Sequence, residues 1–153
     1  LVRLSDYDPE ERRHLRDLPC PTFPTTPFVR PPELRQARIA IVSTAGLQRR
    51  GDTPFAIGDG GYRIIPATSA AGELVMSHIS TNFDRTGFQM DVNMVLPLDR
   101  LRELADDGII GSVGAYHYSF MGATEPTRME KSARAVAKLL KGDAVDVVLL
   151  VPV

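Results

Sequence analysis

The chain has 153 residues, enough for one domain and too few for two of ordinary size. Hydrophobic residues make up 43% and charged residues 24%; 18 basic against 19 acidic side chains leave a net charge of −1, which gives no electrostatic footprint for DNA or RNA. The longest uncharged apolar run, residues 147–153, falls far short of the ~20 residues of a membrane span, and no charged start with an apolar h-region marks a secretory leader. The lone cysteine, Cys20, makes neither an internal disulfide nor a zinc site. Composition thus points to a soluble, cytoplasmic, single α/β domain without naming its chemistry.

Residues 1–18 are densely charged, and Pro9, Glu10 and Glu11 open a short helix that must end before Pro19. His14 lies in that helix and is expected to be solvated. Residues 19–32 hold Pro19, Pro21, Pro24, Pro27, Pro31 and Pro32, a stiff extended arm. Its Phe23, Phe28 and Val29 are expected to pack along a surface; an SH3-type ligand is the functional alternative to a structural arm. Cys20, between two prolines and with no helix N-terminus beside it, reads as a bystander thiol. The arm, residues 1–37, precedes an α/β region over 38–153.

Ile39-Ala40-Ile41-Val42-Ser43 predicts a buried strand, followed at once by Thr44-Ala45-Gly46. Residues 47–61 read as a loop rich in Gly and Asp. Tyr62-Arg63-Ile64-Ile65 is a short strand bounded by Pro66, and Glu73-Leu74-Val75-Met76-Ser77 another that ends at His78. Residues 79–96 read as irregular and polar. Pro97 opens a helix whose Leu98, Leu101, Leu104 and Ala105 follow helical spacing, with Gly108 closing it. Residues 113–118 predict one strand. Pro126 starts a helix with Met129, Ala133, Val136, Ala137 and Leu140 on one face and Gly142 after its end. Residues 145–151 predict a last, buried strand. Such strands are normally covered, so the chain is expected to be cut from a longer polypeptide just after a core strand.

This order predicts an α/β fold with a mainly parallel, Rossmann-like or flavodoxin-like sheet and flanking helices. Ligands in such sheets bind beyond the carboxyl ends of the strands. That rule selects Ser43-Thr44-Ala45-Gly46, Ser77-His78, the segment from His117 to Gly122, and whatever follows Val153. His78 and His117 are candidates for general acid–base work, since an imidazole titrates near neutrality, although each is equally able to serve as a hydrogen-bonded structural group. Alternation puts His117, Ser119 and Met121 on one face. Thr44-Ala45-Gly46 is either an anion-binding strand end or a tight turn. Gly58-Asp59-Gly60-Gly61 has neither the spacing nor the strand–helix placement of a phosphate loop and reads as a flexible turn. Asp84, Asp91, Asn93 and Asp99 match no metal-binding spacing, and Asp99 suits the first turn of its helix.

Three blocks carry a family resemblance. The first is Val42-Ser43-Thr44-Ala45-Gly46-Leu47 with Gly51-Asp52-Thr53-Pro54-Phe55, and Asp59 ahead of Tyr62-Arg63-Ile64-Ile65-Pro66. The second is Val75-Met76-Ser77-His78 with Asp91-Val92-Asn93 and Pro97-Leu98-Asp99-Arg100-Leu101-Arg102-Glu103-Leu104. The third is Gly111-Ser112-Val113, His117-Tyr118-Ser119-Phe120-Met121-Gly122 and Val145-Asp146-Val147-Val148-Leu149-Leu150-Val151-Pro152. Over residues 30–153 the set resembles the glycine/sarcosine/betaine reductase selenoprotein B family, which includes the selenoprotein subunit of D-proline reductase. The resemblance implies an oxidoreductase subunit of amino-acid metabolism that cleaves a C–N bond. A selenocysteine or cysteine attacks a substrate held by a pyruvoyl-bearing partner subunit, and electrons come from a dithiol through a thiol-redox protein. That nucleophile stands immediately after the strand at residues 145–151, beyond Val153, so the chain as given is expected to be inactive alone. On strand-end position and resemblance together, His78 and His117 are proton donors or orienting groups. Thr44, Gly46 and Ser119 line the substrate site, and Asp91 with Asn93 closes it. The alternative is a non-catalytic α/β ligand-binding or subunit-assembly module. A two-cysteine racemase-like enzyme needs cysteines that this chain lacks.

Overall fold

The computed structural model describes residues 3–17, 21–22, 24–25, 28–80 and 83–153. Cys20, Pro19, Phe23 and Pro27, to which the sequence reading assigned roles, lie outside them. The first helix, α1 (Pro9–Asp17), stands where Pro9 and two acidic residues place it, has no buried residue, and leaves His14 exposed. Phe28 and Val29 do not pack along a surface as expected; they are 94% and 82% exposed.

The sheet is built on β1 (Arg38–Ser43), which has neighbours on both sides. On one side β7 (Val147–Val151) pairs parallel with it from Ile39↔Val147 to Ser43↔Val151. On the other side two short strands share its edge. β5 (Ser112–Val113) pairs parallel with Arg38 and Ile39, and β6 (Tyr116–Ser119) pairs parallel with Val42 and Ser43. β3 (Arg63–Pro66) then adds antiparallel to β6, so the sheet is mixed and mostly parallel. A second, two-stranded sheet joins β2 (Leu47–Arg49) antiparallel to β4 (Leu74–Met76).

Alternation along β1 divides the core. Ile39 and Ile41 join Ile65, Leu74 and Leu96 on one side, together with Leu98 and Leu101 of α3 (Leu98–Asp106). Val42 instead packs with Tyr118, Phe120 and, from α4 (Pro126–Gly142), Val136, Met129 and Leu140. The helix α4 connects β6 to β7 across β1, the parallel crossover expected of α/β sheets.

Four expectations need correction. Residues 47–61 contain β2, which a three-residue strand ending in exposed Arg49 does not announce. Residues 79–96 are not irregular throughout; α2 (Thr86–Met90) and a 3-10 turn at Val92–Met94 lie within them. The single strand expected over 113–118 is two strands, because the register against β1 shifts between Val113 and Tyr118. Three residues separate Ile39 from Val42 on β1, whereas five separate their partners, so two residues bulge out. Asp143 holds the bulge: its carboxylate accepts the Ala115 N–H at 2.6 Å and pairs with Arg38 at 2.6 Å. Finally, β7 is half-exposed rather than buried, with Leu150 67% exposed, since among the described residues only β1 pairs with it.

Candidate active site at the strand tips

The carboxyl ends of β1, β6 and β7 meet because the three strands run parallel and in register there. Backbone bonds continue past them. Thr44 N–H donates to the Val151 carbonyl (3.1 Å), Phe120 N–H to Ser43 (2.8 Å), and Gly46 N–H to Phe120 (2.9 Å). Ser77, just beyond β4, donates its N–H to the Gly46 carbonyl at 2.9 Å and so carries His78 to the same place. Gly46 is needed on two counts. Its φ is +66°, and a Cβ there would lie 3.0 Å from the His78 nitrogen and 3.2 Å from the Met121 methyl.

His78, Phe83, Gly122, Ala123 and Val153 line a depression of about 250 Å³ above these tips. A second, of about 360 Å³, adjoins it through Phe83 and Val153 and is walled by Phe88, Met94, Val95 and Pro152. The lining is mostly apolar, with polar groups at His78, Ser80 and Asp84, a make-up that suits a small-molecule site.

His78 is 6% exposed. Its Nδ1 accepts the Ser80 N–H at 3.2 Å, which puts the proton of the neutral ring on Nε2. Nε2 is buried and has no hydrogen-bond partner among the described residues. The Phe83 ring lies 4.8 Å away, and Arg85 donates to the His78 carbonyl at 2.5 Å. Burial, and then the Arg85 charge, hold its pKa below the ordinary histidine value. The site therefore contains an imidazole biased toward its neutral form, whose Nε2 has no hydrogen-bond partner among the described residues.

His117 occupies a different environment. It is fully buried within β6, and its Nδ1 accepts the Ile41 N–H at 2.9 Å. The bulge removes the backbone acceptor that Ile41 would otherwise meet, and the imidazole takes its place. Burial and the Arg102 charge, against a smaller opposing pull from Asp143, lower its pKa to about 4. Its Nε2 also has no partner among the described residues, but the ring does not line the depression.

The other predicted residues divide similarly. Ser119 is buried beneath the tips, where its hydroxyl accepts the Leu47 N–H at 2.8 Å. Thr44 binds the backbone of Val153. Asp91 and Asn93 are turned to the start of α3: Asp91 accepts the Asn93 N–H, and Asn93 donates to Asp99 at 3.1 Å and accepts the Asp99 N–H at 3.0 Å. Gly58-Asp59-Gly60-Gly61 is a packed turn. Asp59 accepts from Gly61 N–H and Arg63, and a Cβ on Gly60 would lie 2.4 Å from the Arg128 carbonyl oxygen.

Sequence reading missed Phe83, Arg85 and Asp143, since no local motif marks a residue whose partners arrive from distant segments. Ser77 was visible as a strand end, but its hydroxyl bonds to buried Gln48 (2.7 Å) and to the Phe55 N–H (2.9 Å) needed the fold. Among the described residues no group of acidic, histidine and cysteine side chains is placed to hold a metal ion, and no helix is long and apolar enough to cross a membrane.

Comparison with known proteins gives the chain its relatives. It is 31% identical over 121 residues to the D-proline reductase subunit gamma of Acetoanaerobium sticklandii, covering 77% of this chain and 49% of that protein. It is 32% identical over 143 residues to the glycine reductase complex component B subunit gamma of Carboxydothermus hydrogenoformans, covering 88% of this chain and 32% of the relative. A betaine reductase complex component B subunit beta of Peptoclostridium acidaminophilum is 30% identical over 141 residues, with 88% and 32% coverage. The chain therefore spans 32% to 49% of the length of these relatives. No solved structure matches it significantly. The family model described as glycine/sarcosine/betaine reductase selenoprotein B matches residues 10–153, nearly the whole chain, and the protein belongs to that family.

Proposed function

We propose that this chain forms the substrate-facing part of a reductase component B subunit that cleaves a C–N bond in a small amino acid or betaine. The observation that carries this reading is that the segments leaving β6 and β7, Gly122 and Val153, border one depression together with His78, while the β1 tip beside them holds Val153 through Thr44. In this reading a cysteine or selenocysteine follows Val153 and attacks the substrate carbon. A C–S or C–Se bond forms as the C–N bond breaks, and the departing nitrogen takes the bonding pair and a proton. His78 is the proton-handling group in this reading, because its ring borders the depression and its buried Nε2 has no hydrogen-bond partner among the described residues. His117 and Ser119 orient the tips from beneath, Thr44 and Gly46 shape the rim, and Asp91 with Asn93 braces the flank at 91–99. A carbonyl group on a partner subunit, the pyruvoyl group of the family reading, would hold a primary or secondary amine. A thiol-redox protein would supply two electrons as its dithiol becomes a disulfide.

The test is direct. Reading the coding DNA past Val153 should give Cys or an in-frame UGA within a few codons. In the full-length subunit with its partners, His78→Ala should then lower reductive turnover by at least ~100-fold. An ordinary residue in place of the nucleophile, or unchanged turnover in His78→Ala, refutes the corresponding part. The half-exposed β7, with Leu150 outermost, favours an assembly surface as a second role.

A further inference from the structure

The last regular pair between β1 and β7 is Ser43↔Val151. In a continuing parallel ladder one residue uses its N–H and its C=O toward the same neighbouring strand. Thr44 does not. Its N–H goes to Val151 on the β7 side (3.1 Å), but its C=O is taken by the Gly122 N–H beyond β6 (2.8 Å). Pro152 has no N–H to offer, so the next donor from the β7 segment is that of Val153. Its backbone partner on Thr44 is already used. The Thr44 hydroxyl takes the place of that carbonyl: Oγ1 accepts the Val153 N–H at 2.8 Å and donates to the Val153 C=O at 3.3 Å. Gly122 closes the clamp from the other side, since a Cβ there would lie 2.7 Å from the Val153 oxygen and 2.9 Å from the Thr44 oxygen.

We infer that Thr44 is a positioning residue: its side chain fixes the backbone of Val153 and so sets the direction in which the next residue leaves the sheet. Val153 itself walls the depression beside His78, so that residue starts at the rim of the site. The inference rests on the reading above, in which it carries the reactive thiol or selenol. A thiol ionises readily only where donors or positive charge stand in fixed places beside it, so its acidity depends on where the chain sets it; one hydroxyl with two hydrogen bonds fixes the backbone that precedes it here.

The experiment uses the full-length subunit, its Thr44→Val and Thr44→Ser variants, and Gly122→Ala, each checked for fold by circular dichroism. Amide exchange at Val153 reports the clamp, and the pH profile of alkylation by iodoacetamide reports the reactive group. Thr44→Val should speed Val153 exchange by ~5- to 10-fold, the loss of a hydrogen bond of typical strength. It should also raise the alkylation midpoint so that the reactive fraction at fixed pH falls ~3- to 10-fold. Thr44→Ser should restore both to within ~2-fold, and Gly122→Ala should move both as Thr44→Val does. Unchanged Val153 exchange in Thr44→Val refutes the clamp. Faster exchange with an unmoved alkylation profile refutes the positioning role and leaves the reductase reading standing. A wild-type subunit with no alkylatable group after Val153 refutes that reading and the positioning role with it.

Discussion

Replacing His117 by asparagine tests whether the imidazole completes the β1 ladder. Asn Oδ1 sits close to where His Nδ1 stands, so His117→Asn keeps an acceptor for the Ile41 N–H while removing the titratable group. At pH 7 it should cost ~1–2 kcal/mol, from ring volume lost at a fully buried site. His117→Leu should cost a further ~1–3 kcal/mol, because the buried Ile41 N–H is then left unpaired. The pH dependence is the sharper signature. The folded-state pKa of His117 is lowered from 6.5 to about 4. Above 6.5 both states carry a neutral ring, and its full contribution is present. As pH falls below 6.5 the unfolded chain takes up a proton that the folded protein refuses, and stability drops by ~1.4 kcal/mol per pH unit until the folded pKa is reached. The 2.5-unit interval corresponds to about 3 kcal/mol in all, and about 2 kcal/mol of it is lost by about pH 5, before most carboxylates titrate. Urea unfolding at several pH values between about 7.5 and 5 measures this. The wild-type slope should exceed that of His117→Asn by one proton; His78 is present in both and cancels. Equal slopes would show that His117 titrates normally when folded, and the ladder-completing role would be wrong.

Two further outcomes follow from the same junctions. Gly46→Ala places a side chain at φ +66° and against the His78 backbone, and should destabilise by at least ~2 kcal/mol in urea while shifting the His78 ring resonances in NMR. A mild loss with an unmoved His78 would show that the β1–β4 approach is looser than described. Asp143→Asn removes the charge that meets Arg38 and the Ala115 N–H. Burial opposes ionisation of Asp143, but Arg38 and the backbone donors outweigh it and hold its pKa below the ordinary value. The variant should therefore be less stable by ~1–2 kcal/mol at pH 7. The difference should shrink as pH falls below the usual carboxylate value toward the lowered one; a pH-independent difference would contradict the pairing.

Most elements were legible because their signals are local. The 3.6-residue spacing after Pro97 and Pro126 and the unbroken apolar run of residues 39–42 mark α3, α4 and β1 without reference to the rest of the chain. The strand-end rule likewise brought Thr44, Gly46 and His78 to notice, and the structure sets all three at the tips. The division of a single apolar stretch into β5 and β6 was not legible. It depends on which N–H of β1 meets which carbonyl, and on Asp143 arriving from the end of α4 to hold the bulge. For the same reason His78 and His117, alike in sequence as histidines at strand ends, came apart in space. One borders a depression and the other replaces a backbone acceptor.

By itself, then, the sequence determined the class of fold, its principal helices and central strand, and the family, since these rest on periodicity and on ordered residue identities. Only the tertiary structure decided that a threonine hydroxyl holds Val153, that one histidine borders a depression, and that the other is committed to the sheet. Those roles depend on hydrogen-bond partners up to about a hundred residues away in the chain, and no local pattern specifies which distant donor will be left without a backbone acceptor.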